Sequence, residues 1–179
     1  MQTEIIISGF GGQGTLYAGQ LLAYAAMDEG KKVTWIPSYG PEMRGGTANS
    51  TVVISDTEIG SPTALHPQVV IAMNLPSLDK YEPLLASGGT LIVNESMVNR
   101  KPERQDIHVA MVPANKIAQE LGNERATNMV LLGALEANLH LLPEGALERA
   151  LKAHTAERLK KFIEINVRAL SRGAEFSTN

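Results

Sequence analysis

The chain has 179 residues, a formal net charge of −3, 44% hydrophobic and 20% charged residues, the proportions of a globular chain able to bury one core. Aromatics make up only 4% and no basic stripe is present, which argues against nucleic acid as a partner. Cysteine is absent, so there is no disulfide, no thiolate for zinc or an iron–sulfur cluster, and no thiol nucleophile.

The apolar run Glu4–Ser8 ("EIIIS") predicts a first strand, and "GFGGQG" turns it into a helix over Thr15–Glu29 that Gly30 closes. Further strands are expected at Lys32–Pro37, Ser50–Ser55, Val69–Met73, Thr90–Asn94 and Ile107–Val112, with a helix near Ser77–Ala86. Near-continuous apolar strands separated by helices predict an α/β fold, a Rossmann-like, mostly parallel sheet covered by helices on both faces. Residues 1–90 hold 4 Lys+Arg and 8 Asp+Glu, and residues 91–179 hold 12 and 11. With that shift the chain reads as helical: "PANKIAQELG" ends at Gly122, and Thr127 is placed to cap an apolar helix, "NMVLLGALEANLHLL". Pro143 opens a third helix, and Ala156–Arg172 a fourth, with Leu159, Phe162, Ile163, Asn166 and Leu170 on one face. "GAEFSTN" is expected to be a loose tail. The expectation is one domain over 1–179, an α/β core at 1–112 carrying a helical extension at 113–173. Met1–Glu4 is too short and acidic for a secretion signal and no apolar run reaches roughly 18 residues, so no membrane span and a cytoplasmic location are expected.

Gly9, Gly11 and Gly14 form G-x-G-x-x-G between strand and helix. Gly9 suits a tight turn, and Gly11 and Gly12 leave room for backbone N–H groups to meet a phosphate. Gly14 lets the helix pack close, while the helix N-terminus contributes about half a positive charge. A dinucleotide site also needs an acid ending the second strand to hold the ribose, but that strand ends "TWIPSYG". Glu42 and Arg44 both come late. The loop thus reads as a pyrophosphate binder, as an unusual NAD or NADP loop, or as a turn that only packs a helix on a strand. The second unusual stretch, "PSYGPEMRGGTANS" (Pro37–Ser50), is long for a connection and rich in conformation-setting residues. In it, Arg44 either pairs with Glu42 at the surface or meets a phosphate or carboxylate. Asn74 and Asn94 end strands at the same edge, where they either cap the next turn or bond a ligand. His66, His108, His140 and His154 are scattered with no metal-binding spacing, neither His66 nor His108 has an acid partner at short range in the sequence, and no G-x-S-x-G is present. No residue is assigned a catalytic role.

"GFGGQG", "SYGPEMRGG" and "NMVLLGAL", in this order and at these spacings, resemble the gamma subunit of 2-oxoacid:ferredoxin oxidoreductases, a likeness that extends to about Gly173. The resemblance implies a subunit of a multisubunit enzyme that oxidatively decarboxylates a 2-oxoacid, 2-oxoglutarate first among candidates, to an acyl-CoA. It implies coenzyme A as co-substrate, with thiamine diphosphate and iron–sulfur clusters on partner subunits. The implied partners are the alpha, beta and, where present, delta subunits, with ferredoxin reached through the complex. A homodimer through partner-facing surfaces is expected of the isolated chain. The implied CoA set is Gly9, Gly11, Gly12, Gln13, Gly14, Thr15, Tyr39, Arg44 and Asn74, with Tyr39, Glu42 and Arg44 near the subunit interface and the reacting centre. A purely structural docking subunit and a stand-alone Rossmann oxidoreductase are the alternatives.

Overall fold

A computed structural model describes residues 1–38 and 47–176. Six strands form one sheet in the order β2-β3-β1-β4-β5-β6: β1 (Gln2–Phe10), β2 (Lys32–Ser38), β3 (Thr47–Ser55), β4 (Val69–Ala72), β5 (Thr90–Asn94) and β6 (His108–Val112). β1, β4, β5 and β6 are parallel, while β3 runs antiparallel to both β1 and β2. The sheet is therefore mixed and mostly parallel.

Alternation along the strands divides the core in two. Ile5, Ile7, Val69, Ile71 and Ile92 point to one face, and Ile6, Val70, Ala72, Leu91 and Val93 to the other. The in-register pairs Ile5↔Val69 and Ile6↔Val70 keep each set on its own side. The first face is covered by α1 (Thr15–Asp28), α3 (Ala114–Glu120) and α4 (Thr127–Leu139), with α5 (Ala146–His154) and α6 (Ile163–Gly173) packed outside. The second is covered by α2 (Leu75–Tyr81) and the turn Glu82–Leu84. α1 ends as its sequence predicts: Gly30 donates to the Met27 carbonyl and Lys31 to that of Ala26, so the last carbonyls are bonded. α4 is buried at every position from Thr127 to Leu135, in agreement with a sequence apolar all round.

Several local expectations change. The two ends of the stretch Pro37–Ser50 are strand, since β2 continues to Ser38 and β3 starts at Thr47, with Ser38 opposite Asn49; the expected loop between them, residues 39–46, lies outside the described residues. Pro37 is tolerated in β2 because β2 is the outer strand of the sheet. Thr127 does not cap α4; its hydroxyl donates to the Glu124 carbonyl at 2.8 Å. Helix α5 begins three residues after Pro143, with Gly145 as its N-cap. The last helix divides into a 3-10 turn, Glu157–Phe162, followed by α6. Residues three apart eclipse in a 3-10 turn, so Leu159 and Phe162 leave the buried face and are 39% and 38% exposed. The tail is docked as far as Phe176, whose carbonyl accepts from Asn138 at 2.9 Å.

The α4–α6 crossing is close because Gly173 faces Val130: a Cβ on Gly173 would run into the Val130 carbonyl oxygen. Gly173→Ala should lower the melting temperature by about 3–10 °C through overpacking of about 1–3 kcal/mol. Gly60→Ala, where an added Cβ meets nothing within 4 Å, should shift it by less than about 2 °C. Equal melting temperatures in calorimetry would show that this contact does not limit the helix approach.

Candidate functional site

β1 ends at the carboxyl edge of the parallel strands and turns at once into α1. The turn is held by its own residues: the Gln13 N–H donates to the Phe10 carbonyl at 3.1 Å. The Gln13 side-chain carbonyl accepts from the Phe10 N–H at 2.6 Å and from Asn74 Nδ2 at 3.1 Å. Asn74 is 1% exposed, and its Oδ1 accepts from the Ser77 N–H at 3.0 Å and so caps α2. Because α1 and α2 lie on opposite faces, this amide pair spans the point where the strand connections diverge, the usual ligand crevice of such sheets.

Gly14 has φ +79, and a Cβ there would lie 2.5 Å from Asn128 Nδ2. That amide, from the start of α4, donates to the Gly14 carbonyl at 3.1 Å. Gly12 has φ +93 and would meet nothing within 4 Å; like Gly11 it faces outward. α1 has no side-chain cap and no acid in its first turn. Its first N–H groups lack intrahelical partners and carry the positive helix end uncompensated. The loop thus presents backbone donors and partial positive charge, the arrangement that binds an anion.

The expected site residues separate into two groups. Gly11 and Gly12 are placed for a close backbone approach. Gly9, Gln13, Gly14, Thr15 and Asn74 build the loop: a Cβ on Gly9 would sit 2.6 Å from Gln13 Oε1, and Thr15 is 2% exposed. Tyr39, Glu42 and Arg44 lie outside the described residues. Asn94 is buried, its Nδ2 donating to the Met73 carbonyl at 3.1 Å and to Asn115 at 2.7 Å.

Sequence reasoning missed the other wall. A cavity of about 250 Å³ opens beside Gly12 and Gly14, bounded by Tyr17, Arg125, Asn128, Leu159 and Phe162 among others. Arg125 is its only charged lining residue among the described residues. No local pattern marks Asn128, which lies 114 residues beyond Gly14, or Arg125, which lies within the 3-10 turn Glu124–Ala126 capped by Asn123. A second cavity, about 460 Å³ between α4, α5 and α6, shares no lining residue with the first. There the half-buried Glu136 carboxylate accepts from the Leu142 N–H at 2.9 Å, and burial pushes its pKa up.

The strand order also bears on the dinucleotide alternative. β3 stands between β1 and β2, so an acid ending β2 would be two strand spacings, about 9–10 Å, from the glycine loop's strand. Fold and loop define an α/β chain with a glycine turn of anion-binding form at the carboxyl edge of its parallel strands. The chain belongs to the pyruvate ferredoxin/flavodoxin oxidoreductase family, matching it over residues 4–176. It is 40% identical over 177 residues to the ketoisovalerate oxidoreductase subunit VorA of Methanothermobacter thermautotrophicus, covering 98% of this chain and 36% of that one. The chain therefore spans about a third of the length of that relative. To the 2-oxoglutarate synthase subunit KorC of Methanocaldococcus jannaschii it is 34% identical over 178 residues, covering 98% of this chain and 94% of KorC.

Among solved structures, the gamma subunit of a keto/oxoacid ferredoxin oxidoreductase from Geobacter sulfurreducens superposes with a TM-score of 0.86 at 32% identity, covering 98% and 95% of the two chains. The 2-oxoglutarate:ferredoxin oxidoreductase of Magnetococcus marinus, solved with 2-oxoglutarate, coenzyme A and succinyl-CoA, shares the fold at a TM-score of 0.86 and 21% identity, over 97% of this chain and 30% of that one. The fold is thus that of an oxoacid oxidoreductase gamma subunit. Among the described residues no helix is long and apolar enough to cross a membrane.

The Gln13–Asn74 pair can be tested by stability. Asn74→Ala removes both the α2 cap and a donor to Gln13, and should lower the melting temperature by about 2–8 °C. Asn74→Asp keeps a cap acceptor but sets a carboxylate against the Gln13 carbonyl, so it should recover only part of that loss. Full recovery by Asp in thermal melts would mean that Gln13 does not depend on Asn74.

Proposed function

We propose that this chain works in the cytoplasm as the gamma subunit of a thiamine-dependent 2-oxoacid:ferredoxin oxidoreductase. Its part is to bind coenzyme A and to form subunit interface. The observation that carries the reading is the outward-facing Gly11–Gly12 turn ahead of an uncapped α1, in a family that the chain matches nearly end to end. Backbone N–H groups and the helix dipole hold the CoA pyrophosphate; Gln13 and Asn128 keep the loop in shape while that happens. Gly9 and Gly14 admit the close contacts this needs, and Thr15 packs beneath. The assignment of Tyr39 and Arg44 to the reacting end or interface stays as the resemblance implies.

Thiamine diphosphate and the clusters belong, on this reading, to the alpha, beta and delta partners. The chain has no cysteine, so a thiolate-bound cluster must find its ligands elsewhere. When bound there, these groups supply decarboxylation and carry electrons to ferredoxin. This chain's residues orient the CoA arm so that its thiol reaches the acyl group. 2-Oxoglutarate is the first acid to assay, because the likeness to KorC runs along 94% of that subunit. A branched-chain 2-oxoacid is the second, because of VorA. The isolated chain is expected to turn over no 2-oxoacid and to pair with itself through its partner-facing surface.

Gly12 provides the direct test. Gly12→Asp in the assembled complex brings a carboxylate to about 4 Å from the pyrophosphate, a repulsion of about 4 kcal/mol at an effective dielectric of 20 and nearly a thousandfold in affinity. At φ +93 any side chain is strained by roughly 1–2 kcal/mol, so Gly12→Ala serves as the control that carries the strain without the charge. Calorimetry should show a far larger loss of CoA affinity for Asp than for Ala. Unchanged CoA affinity in the Asp variant would take the loop out of the binding site and favour a docking role.

A further inference from the structure

We infer that the cavity beside the glycine loop receives the adenosine end of coenzyme A, with Arg125 binding the ribose 3′-phosphate and Phe162 and Leu159 lying against the adenine. The inference rests on the CoA reading above and adds the direction in which the ligand lies.

Three observations converge on it. First, the cavity shares Gly12 and Gly14 with the anion loop, so a ligand held by the loop is continuous with whatever fills the cavity. Its volume of about 250 Å³ is below that of sites enclosing a whole drug-sized ligand, and suits one end of a long molecule. Second, the Arg125 guanidinium has no hydrogen-bond or salt-bridge partner among the described residues, although most other arginines here are paired. Among the described residues no acid shares the cavity lining with it. The loop N–H groups account for a pyrophosphate; a planar, unpaired guanidinium next to them calls for another phosphate. CoA carries one more, on its ribose. Third, Phe162 and Leu159 are exposed apolar side chains on the same wall. They eclipse in the turn Glu157–Phe162 and present one apolar surface. Lys161 Nζ stands 5.1 Å from the Phe162 ring centroid, so the base platform is flanked by positive charge, which favours the anionic end of the ligand.

The test uses the assembled oxidoreductase, with CoA and 3′-dephospho-CoA as alternative acceptors. Wild type should prefer CoA by about ten- to a hundredfold in KM, the size of a charge-assisted phosphate contact. Arg125→Ala should raise the KM for CoA by that factor, leave the KM for dephospho-CoA and both kcat values unchanged, and so abolish the preference. Arg125→Lys should restore part of it. Phe162→Ala should raise both KM values together by about five- to a hundredfold, as loss of a stacking contact does. Because Arg125 is exposed and unpaired, its variants should melt with wild type. A preference for CoA that survives Arg125→Ala, or no preference in wild type, overturns the assignment. If Gly12→Asp raises both KM values while Arg125→Ala changes neither, the CoA reading stands and this subsite falls. If Gly12→Asp also changes neither, both fall.

Discussion

Two side-chain amides hold the glycine loop from opposite sides, and the rest of the site depends on them. Gln13 closes the turn from within and reaches Asn74 at the end of β4. Asn128 reaches in from α4 to the Gly14 carbonyl. A loop this rich in glycine has high conformational entropy to lose, so its fixed shape has to come from bonds such as these. Each contributes about 1 kcal/mol net, but a buried amide left without its partner costs about 1–3 kcal/mol. The internal needs of the loop are met through these side chains and the Gln13 N–H, which on the proposed reading leaves the N–H groups of Gly11 and Gly12 to a ligand.

The sheet determines what that ligand can be. An antiparallel β3 between β1 and β2 moves the end of β2 away from the loop and removes the place where a dinucleotide's ribose would be read. The same arrangement pairs Phe10 with Thr47 and Asn49 with Ser38, so the two residues flanking 39–46 stand at the glycine-loop edge. On the other side of the loop, the all-round burial of α4 fixes Asn128 and, just before it, Arg125. On the proposed reading, the specificity of the site comes from layers packed around the loop more than from the loop itself.

Much of the fold could be read from the sequence because its signals are local. The runs "EIIIS" and "TLIVN" could only be buried strands, and the apolar start of α4 could only lie inside. The antiparallel turn of β3 could not be read, since period-2 alternation is the same in either direction and register is set by a partner strand. Nor could the break before α6 be read: "ERLKKF" has helical spacing, and only the packed position of Ile163 onward separates it from the helix. At the site, the glycine pattern already points to a turn at Gly9 and close packing at Gly14, but not to the partners that make those roles or that of Gln13. Their inward roles follow from contacts with Met73, Thr15 and Asn128, which are distant in sequence or hidden by the turn. Arg125 is one arginine among many until the chain folds it beside Gly12.

On the proposed reading, a subunit with no catalytic residue of its own still governs the rate. The nucleotide of CoA takes no part in the bond changes, yet binding energy gained there fixes the position of the thiol and lowers the entropic barrier to its attack. Such a role requires rigidity rather than reactivity. That requirement accounts for a site made of backbone donors on a strand–helix turn, braced by two amides and set against a helix that is buried on every side. It also accounts for Arg125 as the one charged residue of the cavity lining among the described residues. A further cation would strengthen binding of every phosphate ester alike, whereas one planar guanidinium beside an apolar wall discriminates by where the third phosphate sits relative to the base.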